Sequence, residues 1–458
     1  MSATVTPPTE LVSHISGLPV ELLVEIFELT ICEKTHISDV FRISHVCSVW
    51  RQVAHGTPQL WNQPLRVAVQ STGNPGPLYL EGLKTWLAHS EPFSIPLVFE
   101  LRQGTRGAQD WGPSACKEWN PNSPVWDMIL EIAPRLRSLQ SPAYKHHLPL
   151  SLPLFERLAH SKTFLDSLET LNVCAAETDL VLPPSILPRL RKLSIVYVHY
   201  CPQGPQLQAS WPWAQLNNLK LSVPGGFGVI LEILSECPNL TCAWVQACTS
   251  WPNFSNIRKH ITLRHLRFLT FKVHEYSSGH VVPFFDHLFV PALEYLLMDF
   301  DTPMIYLWSE TQFSAFQLRT STITHLDFRY LRPLSPQHFM AILQHAQNLT
   351  HLKISHLSKA FDRSIINALI HTYGVPSIVP RLHHLTLHGN SGVPCHFGTK
   401  LWANMLMSRW WTDEQVASNT LSPAVARWTH VDLKCSERHK PAIEALQCAG
   451  LPVHCRYY

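Results

Sequence analysis

The sequence predicts a mixed α/β chain: a small helical unit at the amino terminus, then a solenoid of stacked strand-plus-helix repeats. Three observations predict it. Apolar residues recur with helical period over roughly residues 15–61. From residue 136 on, the template L-x-x-L-x-L recurs eleven times. The 458 residues are 45% hydrophobic and only 15% charged, which excludes a wholly disordered chain and leaves length for about three domains of roughly 150 residues.

The first element to justify is the amino-terminal one. Residues 1–13 are polar with two prolines and read as a flexible tail. Pro19 stands where a first helical turn tolerates its missing N–H. Behind it, Leu23, Ile26, Phe27 and Thr30 share a helical face, with Glu21, Glu25 and Glu28 on another. Ser38 and Asp39 are candidate caps for a second helix. Val46, Val49, Trp50 and Val53 follow at i, i+3, i+4 and i+7, and Gly56 and Pro58 end that run. Cys47 lies in the same pattern and reads as buried. A unit this short is marginal as an independent core. It carries apolar residues beyond what it buries by itself: Leu18, Leu22, Ile26, Val46 and Trp61 are the expected surplus. An amphipathic face of this kind seeks a groove or another helix. The residues alone leave two destinations, a separate polypeptide or the chain's own next helix at 78–89.

Residues 65–129 read as that linker helix, a strand at 95–101 and a surface loop at 103–124, in which Trp111 to Trp126 would fold over one end of the solenoid. The solenoid itself is expected over 130–458. Its template starts at Leu136, Leu168, Leu190, Leu216, Leu240, Leu266, Leu293, Ile323, Leu349, Leu382 and Trp428. Most spacings fall between 22 and 33 residues, and the last, 46, implies an insertion around 394–424. Helical stretches at 229–237, 339–346 and 364–374 lie between strands. One short strand and one helix per unit, stacked so that neighbours bury each other's apolar face, is the pattern of an irregular leucine-rich-repeat solenoid.

The helical block resembles the F-box, in the F-box-like form common in fungal proteins. The resemblance is carried by Leu18, Pro19, Glu21, Leu22, Leu23, Ile26 and Phe27, then Val46, Cys47, Trp50, Arg51 and Val53, then Pro58, Leu60 and Trp61. It spans 14–64, about a tenth of the chain. F-box proteins with leucine-rich repeats are a known architecture. The resemblance implies a substrate-recognition adaptor of an SCF-type cullin–RING ubiquitin ligase, docking a Skp-type adaptor through Leu18, Pro19, Leu22, Leu23, Ile26, Phe27, Val46, Cys47, Trp50, Leu60 and Trp61. It says nothing of the target. The rival expectation is a non-ligase interaction scaffold whose helical block caps the solenoid.

The repeats add one unusual feature. The residue before the second template leucine is His325, His351, His384 and His430 in the last four repeats, with Phe268 and Tyr295 at the equivalent position in the two before. Strand alternation points these residues away from the repeat core, so paired strands would stack them about 4.8 Å apart. Asp327, Lys353, Thr386 and Asp432 would form the neighbouring row. This concave face is the expected protein-binding surface. A zinc site needs three or four converging ligands, and a flat ladder does not converge, so no metal is expected.

The remaining motifs argue against chemistry. The segment 223–233 lacks both G-x-x-x-x-G-K-[ST] and G-x-G-x-x-G and reads as a tight strand-to-helix turn. There is no G-x-S-x-G and no H-E-x-x-H, so no catalytic residue and no cofactor is expected. Thirty-six Lys and Arg against thirty-three Asp and Glu give a net charge of +3, too small a field to predict nucleic-acid binding. Twelve scattered cysteines with no C-x-x-C pair fit a reducing compartment. With no secretory pattern at the start and no apolar run near 18 residues, the expected location is cytoplasmic or nuclear, off the membrane.

Overall fold

The computed structural model describes residues 17–32, 36–70, 76–102, 124–140, 157, 165–175, 184–197, 211–223, 227–247, 260–273, 279–280, 282–300, 306–330, 334–356, 360–389, 398–411, 413 and 425–457. The expected tail at 1–13, the loop at 103–123 with Trp111, the Pro-Gly-Gly segment at 224–226 and residues 394–397, 412 and 414–424 of the expected insertion lie outside them. The chain divides into two compact units, Met1–Cys174 with Leu180–Leu190, and Ala175–Asp179 with Arg191–Tyr458.

The first unit opens with three helices, α1 (Val20–Thr30), α2 (His36–Ser44) and α3 (Ser48–Gly56), closed by a 3-10 turn at Pro58–Trp61. Pro19 sits one residue ahead of α1, and its carbonyl accepts from the Leu22 and Leu23 N–H groups. Leu23 and Phe27, four residues apart, turn inward and are buried, as are Val40 and Ile43 of α2, Val53 of α3 and Leu60 of the closing turn. Ser38 and Asp39 fall inside the first turn of α2 rather than at its cap. Asp39 instead accepts from the Cys32 N–H at 3.2 Å, linking the residues after α1 to the first turn of α2.

Four parallel strands follow in order: β1 (Leu65–Gln70), β2 (Ile95–Arg102), β3 (Leu136–Gln140) and β4 (Thr170–Ala175). Between them run α4 (Pro77–His89), after β1, and α5 (Pro124–Ile132), before β3. Parallel pairing thus begins at Leu65, upstream of residue 130. β1 and β2 lack the leucine template but obey the same rule. Leu65, Val67, Ile95, Leu97 and Phe99 are buried on one face while Arg66, Pro96 and Val98 alternate with them. Trp126, expected in the surface loop, is buried in α5 against Phe99 at 5.6 Å.

The second unit carries β5 (Lys192–Tyr197), β6 (Asn218–Val223), α6 (Phe227–Ser235), β7 (Cys242–Ala247), β8 (Ile261–Thr262), β9 (Phe268–Val273), β10 (Gly279–His280), α7 (Pro283–Asp286), β11 (Leu288–Phe289), β12 (Tyr295–Asp299), β13 (Tyr306–Leu307), α8 (Glu310–Arg319), β14 (His325–Arg329), α9 (Pro336–His345), β15 (His351–Ser355), α10 (Arg363–Leu369), β16 (His384–His388), α11 (Thr399–Met407), β17 (His430–Cys435), α12 (Lys440–Cys448) and β18 (Val453–Tyr457). The main sheet here runs β5-β6-β7-β9-β12-β14-β15-β16-β17-β18, and every neighbouring pair is parallel. β8 with β11, and β10 with β13, form two-residue side pairings.

Each strand that follows a template start contributes two buried rungs. Leu269, Leu296, Leu326, Leu352, Leu385 and Val431 are in register as one apolar row, and Phe271, Met298, Phe328, Ile354, Leu387 and Leu433 as the next. The opposite face alternates as half-exposed residues on β15, β16 and β17. A parallel sheet covered on both faces reads as continuous apolar strands; one-sided alternation is what a solenoid-like stack produces. Helices are held at their starts by local caps. Ser335 and His338 form a reciprocal box at α9, and the Asp362 carboxylate accepts from the Ser364 and Ile365 N–H groups at α10. Behind the sheet, Phe271, Phe284, Phe285, Phe313 and Phe316 pack edge and face, with neighbouring ring centroids about 5 Å apart.

Candidate functional sites

The helical block separates its apolar residues into two populations. Leu22, Ile26 and Leu29 lie at i, i+4 and i+7 along one side of α1 and are 46%, 40% and 81% exposed. Val46 (61%) and Val49 (45%) add to the uncovered apolar surface at the start of α3. Leu18 is half-buried and Pro19 exposed. Leu23, Phe27, Leu60 and Trp61, all expected to meet a partner, are instead core residues of the unit. The reason is geometric. Leu23 and Phe27 sit about 100° around the helix from Leu22 and Ile26, and that turn carries them onto α2 and α3. Trp50 is half-buried with its ring 4.9 Å from Phe27. Trp61, expected as surplus, stacks on His89 at the end of α4 at 4.7 Å. Cys47 is exposed rather than buried, because its extended backbone places it at the N-cap of α3, where its sulfur accepts from the Trp50 N–H at 3.4 Å. Arg51 donates to the Ser44 carbonyl at 3.0 Å and ties α3 to the end of α2.

On the second unit the predicted ladder is present in register. Phe268, Tyr295, His325, His351, His384 and His430 stand at equivalent positions on six adjacent strands. Successive ring centroids are 6.2, 6.0, 3.9, 4.1 and 5.5 Å apart. His454 on β18 is in register with Asp432 rather than His430, yet its ring lies 5.3 Å from His430; it was missed because β18 carries no template leucine. His383 was also missed. It precedes β16, and its ring packs edge-on against both His351 and His384. The doubled histidine in LHHLTL was the only signal for it.

Burial and the neighbouring charges both bear on protonation of the inner histidines His325, His351 and His384. His351 is pushed down to about 4, by desolvation first and then by His325, His384, His383 and His430. His325 and His384 are lowered for the same first reason. His325, His351 and His384 are therefore neutral imidazoles at pH 7, able to stack, to hydrogen-bond or to ligate.

The adjacent row is ionic. Asp327 is 2% exposed and accepts from the Tyr295 hydroxyl at 3.1 Å and the Lys353 ammonium at 3.0 Å. Burial, reinforced by Asp327, raises the Tyr295 phenol to about 12, so it donates throughout the neutral range. Burial works against the Asp432 carboxylate, but hydrogen bonds from His388 and Arg456 outweigh it and hold it below the usual range. Removing the central acid should be costly. Asp327→Ala leaves the Tyr295 hydroxyl and Lys353 ammonium without their acceptor and should lower stability by about 1–3 kcal/mol, read as a lower midpoint in urea unfolding; an unchanged midpoint would show the row to be decorative.

The Cys237 thiol is buried and pushed up to about 12 by desolvation. Cys435 lies 3.4 Å from the Cys455 sulfur on the next strand, and Cys395 lies outside the described residues.

Among the described residues, no helix is long and apolar enough to cross a membrane. No curated protein matches the chain. Residues 15–66, the span of the three helices and the turn that closes them, match the F-box-like family: this is a chain with an F-box-like domain at its amino-terminal end.

Proposed function

We propose that this protein is the substrate-recognition adaptor of an SCF-type cullin–RING ubiquitin ligase. Its F-box-like domain docks a Skp-type adaptor, and its repeats, read as leucine-rich repeats, hold a target protein on the ladder face. The observation that carries the reading is the uncovered row Leu22, Ile26 and Leu29 within the matched segment. An exposed apolar helix side with i, i+4, i+7 spacing is what a partner's groove or helix buries. The reading assigns no catalytic residue, metal or cofactor to the adaptor role. Its chemistry is tethering, which raises the effective concentration of a bound target near the ligase by orders of magnitude without any new bond. The location that goes with it is cytoplasmic or nuclear.

A second reading keeps support from one contact. His55 and Trp61 both pack on His89 of α4, so part of the helical block already serves the chain's own first unit. In that reading the block is a cap and the protein a non-ligase scaffold. Co-purification with a Skp-type adaptor separates the two. Leu22→Asp with Ile26→Asp should reduce capture at least tenfold while circular dichroism and the melting midpoint stay at wild-type values. Undiminished capture would overturn the proposed interface. Loss of folding in the double variant would favour the cap.

A further inference from the structure

We propose that His351, His383 and His384 form a binding site for a single borderline transition-metal dication, with Zn2+ as the reference ion. Each offers a ring nitrogen, and the three nitrogens lie within 4.8 Å of one another. A tetrahedral Zn–N shell at 2.0–2.1 Å sets its donors about 3.3 Å apart, so modest ring rotations close the set. His383 changes what the ladder can do. His351 and His384 alone are adjacent rungs tilted by 34°, but the His383 ring meets them at 68° and 79°, giving the third direction that a stack of rungs lacks.

The hydrogen bonds at His383 and His351 fix which of their nitrogens is free. The Nδ1 of His383 lies 3.0 Å from the Arg381 carbonyl. A carbonyl only accepts, so that nitrogen carries the hydrogen and Nε2 keeps its lone pair. The Nδ1 of His351 lies 2.8 Å from the Thr350 hydroxyl, whose own hydrogen goes to the Thr324 carbonyl at 3.0 Å. The hydroxyl therefore accepts from Nδ1–H, and Nε2 of His351 is again the lone-pair nitrogen. Metal-ligating histidines are characteristically held this way, by a second-sphere acceptor on the non-ligating nitrogen. The backbone supports the same arrangement: the His383 and His384 N–H groups both donate to the Thr350 carbonyl, locking the turn before β16 to the start of β15. Three imidazoles without a thiolate or carboxylate suit Zn2+, Cu2+ or Ni2+ over Mg2+ or Ca2+, with water in the fourth position.

The test is calorimetric titration of the full chain with zinc chloride alone, in a non-chelating buffer at pH 7.5. One saturating equivalent is expected for the wild-type protein. His383→Ala should weaken it by roughly tenfold or more, since even second-sphere losses cost 10–100-fold. His454→Ala, at the far end of the ladder, should leave it unchanged. A wild-type protein that shows no saturable site, or one whose site survives His383→Ala, overturns the proposal. If the variant does not fold, histidine-directed acylation of the wild-type protein with and without zinc, mapped by mass spectrometry, decides. Selective protection of His351, His383 and His384 supports the site, and equal labelling refutes it.

Discussion

Replacing Trp61 by alanine should remove about 3–5 kcal/mol from the amino-terminal unit, enough to unfold its helices at moderate temperature. The side chain has no exposed surface, and it fills the space between Phe41, His55 and His89. Truncation leaves a cavity the size of an indole. A second loss comes from the hydrogen bond. The indole Nε1–H donates to the Ala54 carbonyl at 2.8 Å. That carbonyl sits in the last turn of α3, and its helical donor would be residue 58. Residue 58 is proline and has no N–H, so Trp61 supplies the donor that the chain itself removed. Trp61→Phe isolates this term, keeping most of the packing while orphaning the carbonyl, and should cost about 1–3 kcal/mol. Hydrogen exchange over α1–α3 reads both variants. Protection unchanged in Trp61→Ala would mean that the block does not depend on this anchor.

Arg409→Ala should be of similar size in the second unit, about 3–5 kcal/mol, measured as the shift of the urea midpoint multiplied by the slope. The guanidinium is fully buried and spends its fork on three backbone carbonyls: Nε to Leu369 at 3.1 Å, Nη1 to Val379 at 3.0 Å and Nη2 to Ile378 at 2.9 Å. It also lies 5.6 Å from the Trp428 ring centre. Desolvation draws its pKa down to about 10, so it stays charged at neutral pH. Two of the carbonyls have a specific need. Leu369 ends α10, where helical acceptors lack donors. Val379 has φ +42, a left-handed backbone that costs a β-branched residue energy and persists only where its surroundings hold it. Alanine releases all three carbonyls at once. Arg409→Lys keeps the charge but not the planar fork and should recover less than half of the loss. Full recovery by lysine would show that the charge matters and the fork does not.

The local sequence carries the repeat. A leucine template with period two inside a strand needs no knowledge of the rest of the chain, so ten of the eleven starts lie just before a strand and Leu136 opens one, and the histidine ladder was legible from the same spacing. Strands without the template were not. β1, whose pairing with β2 was not anticipated, and β18 join their sheets through burial alternation and backbone pairing alone, which any apolar-polar sequence satisfies. The division of α1 into buried and uncovered sides was blurred for a related reason. Leu23, Ile26 and Phe27 lie within a broad apolar arc, and only the positions of α2 and α3 decide which part is sealed. Trp61 and Cys47 were reassigned by single tertiary facts, the end of α4 and the start of α3.

What the sequence by itself determined was the alternation of helical unit and strand repeats, and the register-equivalent row of rings, because both are written in periods of two and 3.6 residues. What only the tertiary structure decided was direction: which apolar residues look outward, and that His383 turns in from the strand start to meet His351. Direction depends on how the chain enters each strand and on what packs beside it, and that information is spread over residues tens of positions apart.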